Sequence, residues 1–307
     1  MLNLEYDYRD TRYPIPFSQY YRYVESRYSN YNGTDSILRN VTMGPIRPST
    51  DPSSIMLIIG SDTKQFMSMA ATIAHAFKMY RFDALTILDY GLTENDKREL
   101  QRYIQCLHQK SVPVYYRVFN FDACPTWISI ALCATKGSHS YKVISYLDAT
   151  FEWNGMTLWL EPGFLVPNYF EKDVEYARSE GFYSPLSSDN ISMSLHSSSF
   201  KFLKRYFASS SVALSEANCM STYALVNPVN TTILHRVLYP YYHCALTKRC
   251  ILPSDTILAS SRHDQAILSL LVKSVSIPHT ASYLSNQQPI FRKIRNANIS
   301  SFCFCVC

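Results

Sequence analysis

Four polar residues in a row, Arg262-His263-Asp264-Gln265, stand directly before an apolar run at 266–271. Side chains of these four types cannot all point into a protein core unless each of them finds a polar partner there. Packing alone therefore explains the tetrad poorly, and we interpret it as part of a binding or catalytic site. The structural alternative is that Asp264 and Gln265 are first-turn residues, which the helix dipole favours.

A pair of cysteines, Cys244 and Cys250, precedes the tetrad with five residues between them. A disulfide across so short a loop is sterically possible, and in the chain-entropy model it would stabilise the fold by about 2 kcal/mol. It would also fix the turn that presents the tetrad. This interpretation needs an oxidising compartment, because in a reducing cytosol the same residues would be two buried thiols.

The composition indicates one large folded domain. The chain has 307 residues, of which 47% are hydrophobic and 17% are charged, so it can build a sizeable core. Its net charge of +5 is spread along the sequence, and no basic run indicates a nucleic-acid partner. We predict a tyrosine-rich stem or irregular segment at 1–50, a single domain at 51–280 and a C-terminal tail at 281–307.

Strand and helix patterns alternate in the first half of the domain. An apolar run at 55–59 ends in a polar loop with Asp62, and apolar residues then recur at helical spacing from 66 to 77. Two further strands are predicted at 85–89 and 112–119, with a capped helix between them. This order predicts an α/β fold with a mostly parallel, Rossmann-like sheet flanked by helices. Ligands of such sheets bind at the carboxyl ends of the strands, so the Asp62 loop could face a phosphate.

Two acidic residues follow in the middle of the chain. We interpret 141–150 as a helix and 156–161 as a strand, which keeps the alternation of elements and places Glu161 at a strand end before Pro162. On this interpretation Asp148 lies on the helix surface. Lys142, on the same helix, is either a solvated side chain or a site residue. Further along, we predict a strand at 191–195 and a helix at 231–238.

The order of these motifs resembles a family of Golgi-type glycosyltransferase-like proteins of invertebrates and plants, catalogued as a domain of unknown function. The blocks that carry the resemblance are Ile55 to Asp62, Asp89-Tyr90-Gly91-Leu92, Tyr141-Lys142, Trp159-Leu160-Glu161, His196-Ser197-Ser198, Tyr241-Tyr242-His243-Cys244-Ala245-Leu246 to Cys250-Ile251-Leu252-Pro253, and Arg262-His263-Asp264-Gln265-Ala266-Ile267-Leu268-Ser269. The last two blocks are specific, the earlier ones loose, and together they cover about residues 50 to 275. The resemblance implies a GT-A-like nucleotide-diphospho-sugar transferase.

The resemblance also implies roles for the candidate residues. Glu161 and His263 would hold Mn²⁺ or Mg²⁺ against the diphosphate of a nucleotide-sugar donor. Arg262 or Lys142 would add positive charge there, and Gln265 would bind sugar hydroxyls. Asp264 would act on a hydroxyl of a glycan or glycoprotein acceptor as base, nucleophile or positioning group.

One departure from the family pattern leaves a second function open. Where the family has a strand end of the type D-x-S or D-x-D, this chain has Glu161-Pro162-Gly163, with a single carboxylate. The longer glutamate side chain shifts the oxygens further than a metal site readily tolerates. The alternative is therefore an inactive descendant that binds a glycan or a sugar nucleotide.

Five N-x-S/T sequons, at Asn32, Asn40, Asn190, Asn230 and Asn298, favour the Golgi or secretory lumen as the compartment. No apolar stretch approaches the ~18 residues of a membrane span. We therefore expect membrane association only through an anchor upstream of this sequence.

Overall fold

The computed structural model describes residues 38–43, 45–128, 139–206, 214–253, 263–275 and 277. Residues 1–37 and 281–307, which hold most of the predicted N-terminal segment and the whole C-terminal tail, lie outside this description. The elements of the first half are β1 (Thr42–Met43), β2 (Ile55–Ser61), α1 (Phe66–Met79), β3 (Ala84–Asp89), α2 (Glu94–Gln109) and β4 (Val114–Val118).

The second half has shorter elements. They are α3 (Ser140–Trp153), β5 (Met156–Leu160), α4 (Phe170–Glu180), β6 (Phe182–Tyr183), β7 (Leu186–Asn190), α5 (Ile191–Ser194), α6 (Ser197–Leu203), β8 (Ala217–Cys219), β9 (Tyr223–Val226), α7 (Thr231–Ile233), α8 (Tyr239–Ala245), α9 (Lys248–Ile251) and α10 (His263–Ser274). A π-helical turn, Leu234–Leu238, joins α7 to α8. No helix among the described residues has the length and apolar character needed to cross a membrane.

Seven strands form the main sheet, in the order β1-β4-β3-β2-β5-β9-β6. The strands from β1 to β5 pair in parallel, and β9 runs antiparallel to both of its neighbours. The predicted α/β class, with a mostly parallel sheet flanked by helices, is confirmed. β7 and β8 form a separate two-stranded antiparallel sheet.

Helices cover both faces of the main sheet, as expected for parallel strands whose sequences are continuous apolar runs. Successive residues of β2 alternate between two buried clusters: Met56 and Ile58 join one, Leu57 and Ile59 the other. The first cluster packs against α3, α8 and α10, and the second against α1, α2 and α4. α3 therefore lies on the same face as α10, the helix that carries the tetrad.

Several predicted elements agree with the structure. The strands at β2, β3, β4 and β5 and the helix at α3 are present. The predicted capping box is also confirmed, because Asp96 N–H donates to Thr93 Oγ1 and Thr93 N–H donates to Asp96 Oδ2.

Two predictions about the middle of the chain are wrong. Residues 191–195 do not form a strand: Ile191–Ser194 is a helical turn, which buries Ile191 and Ser194 and leaves Met193 70% exposed. The alternation of apolar and polar residues suggested a strand, but one helical turn brings residues three apart to the same face. Asp148 is not on the surface either. It is fully buried, and Tyr242 Oη donates to its Oδ1 at 2.7 Å.

A second buried carboxylate belongs to Asp173 on α4, whose Oδ2 accepts a hydrogen bond from Tyr223 Oη at 2.8 Å. Burial raises the pKa of Asp173 to about 7, although the hydrogen bonds from tyrosine hydroxyls act in the opposite direction. The protonated form is therefore favoured in the folded state. Protonation of Asp173 in the folded state stabilises the fold. This contribution is fully present below the ordinary pKa of 3.8 and is lost as the pH rises through about 7.

Asp173→Asn, which is neutral at every pH, should gain stability relative to the wild type as the pH rises. We expect a gain on the order of 4 kcal/mol between about pH 4 and about pH 7, measured by urea unfolding at several pH values. Glu175→Gln, an exposed position on the same helix, is the control and should show little change. A difference between Asp173→Asn and wild type that does not vary with pH would contradict this assignment.

Candidate active site

The candidate site lies where β5 ends at the carboxyl edge of the sheet. β2 and β5 are neighbours in the sheet. On the other side of β2 lie β3 and β4, and on the other side of β5 lies β9, so the strand order reverses between β2 and β5. Such a reversal opens a crevice at the carboxyl ends of the two central strands, which is where open α/β sheets bind ligands. Glu161 follows β5 directly, and its N–H donates to Thr222 O, which fixes the residue at this edge.

A lysine ammonium bridges two carboxylates at this edge. Lys142 Nζ lies 2.7 Å from Glu161 Oε1 and 2.7 Å from Asp264 Oδ2. The side chains of Lys142 and Asp264 are 8% and 2% exposed, whereas that of Glu161 is 27% exposed. Glu161 is therefore the member of this triad that solvent and a ligand can reach.

Three different elements supply the triad. Lys142 is in the first turn of α3, Glu161 is in the turn after β5, and Asp264 is in the first turn of α10. Ser221 lies near enough to Asp264 for its hydroxyl to help lower the pKa of that carboxyl group. Ser269 connects α10 to β8. Its Oγ accepts a hydrogen bond from Cys219 N at 2.7 Å and donates one to Gln265 O at 2.6 Å.

The charges of the triad hold one another in the ionised state. Burial by itself would lower the pKa of Lys142, but the negative charges of Asp264 and Glu161 outweigh this and raise it. Burial would likewise raise the pKa of Asp264, but the Lys142 ammonium outweighs it and the pKa is lowered. At neutral pH the triad therefore carries one positive and two negative formal charges. Burial lowers the pKa of nearby His139, which favours its neutral form.

Three buried tyrosines lie within electrostatic reach of the triad. Burial raises the pKa of the hydroxyls of Tyr90, Tyr146 and Tyr241, and the charges of the triad act on all three groups. Tyr90 Oη is hydrogen-bonded to Ser145 Oγ at 2.6 Å, and its ring packs so closely on Gly60 that no Cβ would fit there. These neutral, aromatic neighbours add no charge to that of the triad.

The tetrad does not converge on one point. His263 faces His196, with ring centroids 6.5 Å apart, Asp264 faces Lys142, and Gln265 Nε2 donates to Ser187 Oγ at 2.9 Å. Consecutive residues of a helix project about 100° apart, so three neighbours reach three different elements. Arg262 lies outside the described residues.

The two predicted metal ligands have other neighbours in this structure. Glu161 is paired with Lys142, and the His263 ring packs edge-on against the ring of His196. Within the described part of the chain, no group of three or more His, Cys, Asp and Glu side chains is arranged to hold a metal ion. The charge that balances the two carboxylates comes from an ammonium group, which occupies the space between them.

The other predicted residues have clear positions. Asp62 stands at the carboxyl end of β2, where its Oδ1 accepts a hydrogen bond from Gln65 N at 3.1 Å and caps the short 3₁₀ turn before α1.

Cys244 and Cys250 are joined by a disulfide, with Cα atoms 5.2 Å apart. The bond links the end of α8 to α9, and Ser199 Oγ donates to Cys250 O at 2.5 Å.

Sequence reasoning selected all three triad residues but did not bring them together. It assigned Lys142 to a diphosphate, Glu161 to a metal and Asp264 to an acceptor hydroxyl. It did not select Ser221 or the tyrosines around the triad. The short motif Asp89-Tyr90-Gly91-Leu92 was a usable signal for Tyr90, whereas nothing near Tyr146, Ser221 or Tyr241 in the sequence marks them as site residues.

Comparison with known proteins gives no family assignment, since no family model and no curated protein matches the sequence. Among solved structures, the bifunctional glycosyltransferase WbbM has a TM-score of 0.43 and 14% identity over 76% of this chain and 39% of its own. Core-mannan synthase A from Aspergillus fumigatus, in a Mn/GDP form, has a TM-score of 0.47 and 12% identity over 79% and 80% of the two chains. The mannosyltransferase Ktr4p from S. cerevisiae has a TM-score of 0.46 and 13% identity over 77% and 71%.

This chain thus spans about two fifths of WbbM and most of the two fungal structures. With identities of 12–14% and TM-scores below 0.5, these similarities say nothing about the chemistry of the present chain. Membership of the invertebrate and plant family stays a prediction.

The unequal burial of the two carboxylates predicts unequal effects of neutralising them. Asp264→Asn leaves the buried Lys142 ammonium with a single, part-exposed partner, so we expect a loss of about 3–5 kcal/mol in the free energy of unfolding. Glu161→Gln keeps the shape of the side chain and removes a charge that solvent partly screens, so a loss of about 1 kcal/mol is expected. Urea denaturation of both variants checks the order, and a larger loss for Glu161→Gln would contradict the geometry.

Proposed function

We propose that this protein transfers a sugar from a nucleotide-sugar donor to a hydroxyl group of a glycan or glycoprotein acceptor. The observation that carries the proposal is the triad: two carboxylates bridged by Lys142 at the carboxyl edge of β5, with Glu161 accessible and Asp264 buried. Fixed negative charge in a largely enclosed crevice suits a reaction in which positive charge develops on a sugar ring.

Glu161 is the residue best placed to contact the reacting atoms. Its carboxylate could stabilise the oxocarbenium-like transition state, or accept the proton of the acceptor hydroxyl as the new C–O bond forms and the bond to the diphosphate breaks. Asp264 is too deeply buried to share this role, so it acts through Lys142 and holds the ammonium in place. The catalytic role predicted for Asp264 thus becomes a positioning role in this proposal.

The donor diphosphate needs positive charge from outside the triad, since two carboxylates already neutralise Lys142. The loop after β2, with Asp62 at its start and the exposed Lys64, lies at the adjacent strand end and is the proposed contact. Arg262 remains a proposed diphosphate ligand, and Gln265 a proposed ligand for sugar hydroxyls. The Gln265 amide would have to exchange its bond to Ser187 for one to the sugar.

The proposal is tested by incubating the full chain with a panel of UDP- and GDP-sugars and candidate acceptors, with and without Mn²⁺, while following thermal shift and nucleotide release. We expect release with at least one donor. Glu161→Gln should reduce its rate about 10²–10⁴-fold while the thermal shift by that donor is kept. Glu171→Gln, an exposed position on α4, is the matched control and should release nucleotide like the wild type.

The two candidate functions give different results. A thermal shift without release under every condition would identify a binding protein that lacks transferase activity. Neither shift nor release across the panel would overturn the proposed donor class.

We further propose that the protein works in the secretory lumen, a proposal that the Cys244–Cys250 disulfide supports. Asn40 is exposed, whereas Asn230 caps α7 by accepting hydrogen bonds from Thr232 N and Ile233 N, and its Nδ2 donates to Glu180 O. A glycan on Asn230 would disrupt these contacts. Mass spectrometry of the secreted chain should therefore find Asn40 glycosylated far more fully than Asn230, and the reverse pattern would contradict the structure.

A further inference from the structure

We propose that the Lys142 ammonium is the resident cation of this site and that the site takes no divalent metal ion. The resemblance to metal-using transferases predicts Mn²⁺ or Mg²⁺ here, and the side chains that are present disagree with that expectation. The inference goes beyond the proposed function, because it concerns which cation the two carboxylates hold.

The distances show that an ammonium and a metal ion would compete for one position. Lys142 Nζ is 2.7 Å from an oxygen of each carboxylate, so Glu161 Oε1 and Asp264 Oδ2 are at most 5.4 Å apart. Oxygen ligands bind Mg²⁺, Mn²⁺ or Ca²⁺ at about 2.0–2.6 Å, so two carboxylates with about this separation could share one ion. The point between them is already filled by Nζ.

Moving the Lys142 ammonium away from this position would be energetically unfavourable. The Lys142 side chain is 8% exposed and is paired with two carboxylates, so another position would leave the ammonium without comparable partners. Displacing it would also leave Asp264, 2% exposed, without its main counter-charge. A divalent ion that bound beside the ammonium would meet electrostatic repulsion in surroundings that screen it poorly.

The test is to remove the ammonium and measure metal binding directly. Lys142→Ala leaves both carboxylates and opens space for a hydrated ion, so we expect it to bind about one Mn²⁺ per chain in calorimetric and EPR titrations. Mn²⁺ should also raise its melting temperature. The wild type should show neither effect up to about 1 mM Mn²⁺.

Two variants serve as controls. Lys273→Ala removes another buried lysine, which pairs with the single carboxylate of Glu216 at 2.5 Å, and it should gain no Mn²⁺ site. The double variant Lys142→Ala/Glu161→Gln should lose the Mn²⁺ site again, because only one carboxylate remains.

Binding of one Mn²⁺ by the wild type that Glu161→Gln abolishes would overturn the inference. A folded Lys142→Ala chain that binds no Mn²⁺ would overturn the claim that the ammonium occupies a position where a metal ion could bind. If Lys142→Ala does not fold, the wild-type titration and its Glu161→Gln counterpart still decide whether the triad holds a metal ion. Because these measurements do not involve transfer, their failure is distinguishable from failure of the proposed function.

Discussion

The contact of Lys142 with Glu161 and Asp264 is the interaction on which the rest of the candidate site depends. It joins the first turn of α3, the turn after β5 and the first turn of α10, the last of which is far away in the sequence. A buried ammonium that lost its carboxylates would be strongly destabilising, so the three elements are held in one arrangement. The part-exposed carboxylate of Glu161 is held at this position because it is paired with the buried Lys142 ammonium.

Other hydrogen bonds and a disulfide hold the same helices in place. Ser269 ties α10 to β8, and the hydrogen bond from Tyr242 to Asp148 ties α8 to α3. The disulfide then fixes the end of α8 against α9. A charged group is positioned well only if its supporting shell is rigid, and here helices on one face of the sheet provide that shell. This explains how a part-exposed glutamate can have a defined position at the rim.

The sequence predicted the elements better than their contacts. Local patterns identified the strands that carry Asp62 and Glu161, and a run of polar residues identified Asp264, because these signals lie within a few neighbouring positions. The meeting of Lys142 with Asp264 could not be predicted, since it depends on how α3 and α10 pack on the same face of the sheet. Asp148 was wrongly placed on the surface for the same reason: its partner Tyr242 belongs to a distant helix.

The charge of the triad also sets the orientation that a donor would have to adopt. With two carboxylates and one ammonium, the triad repels a diphosphate and attracts the positive charge that develops at an anomeric carbon. The diphosphate must then point away from Glu161, towards the loop after β2, with the sugar ring between them. The single positive charge of the ammonium is already neutralised by two carboxylates. It therefore cannot balance the negative charge of the leaving group, as a divalent metal ion would. Stabilisation of the departing nucleotide would therefore fall to residues outside the triad, and the triad itself would act on the sugar.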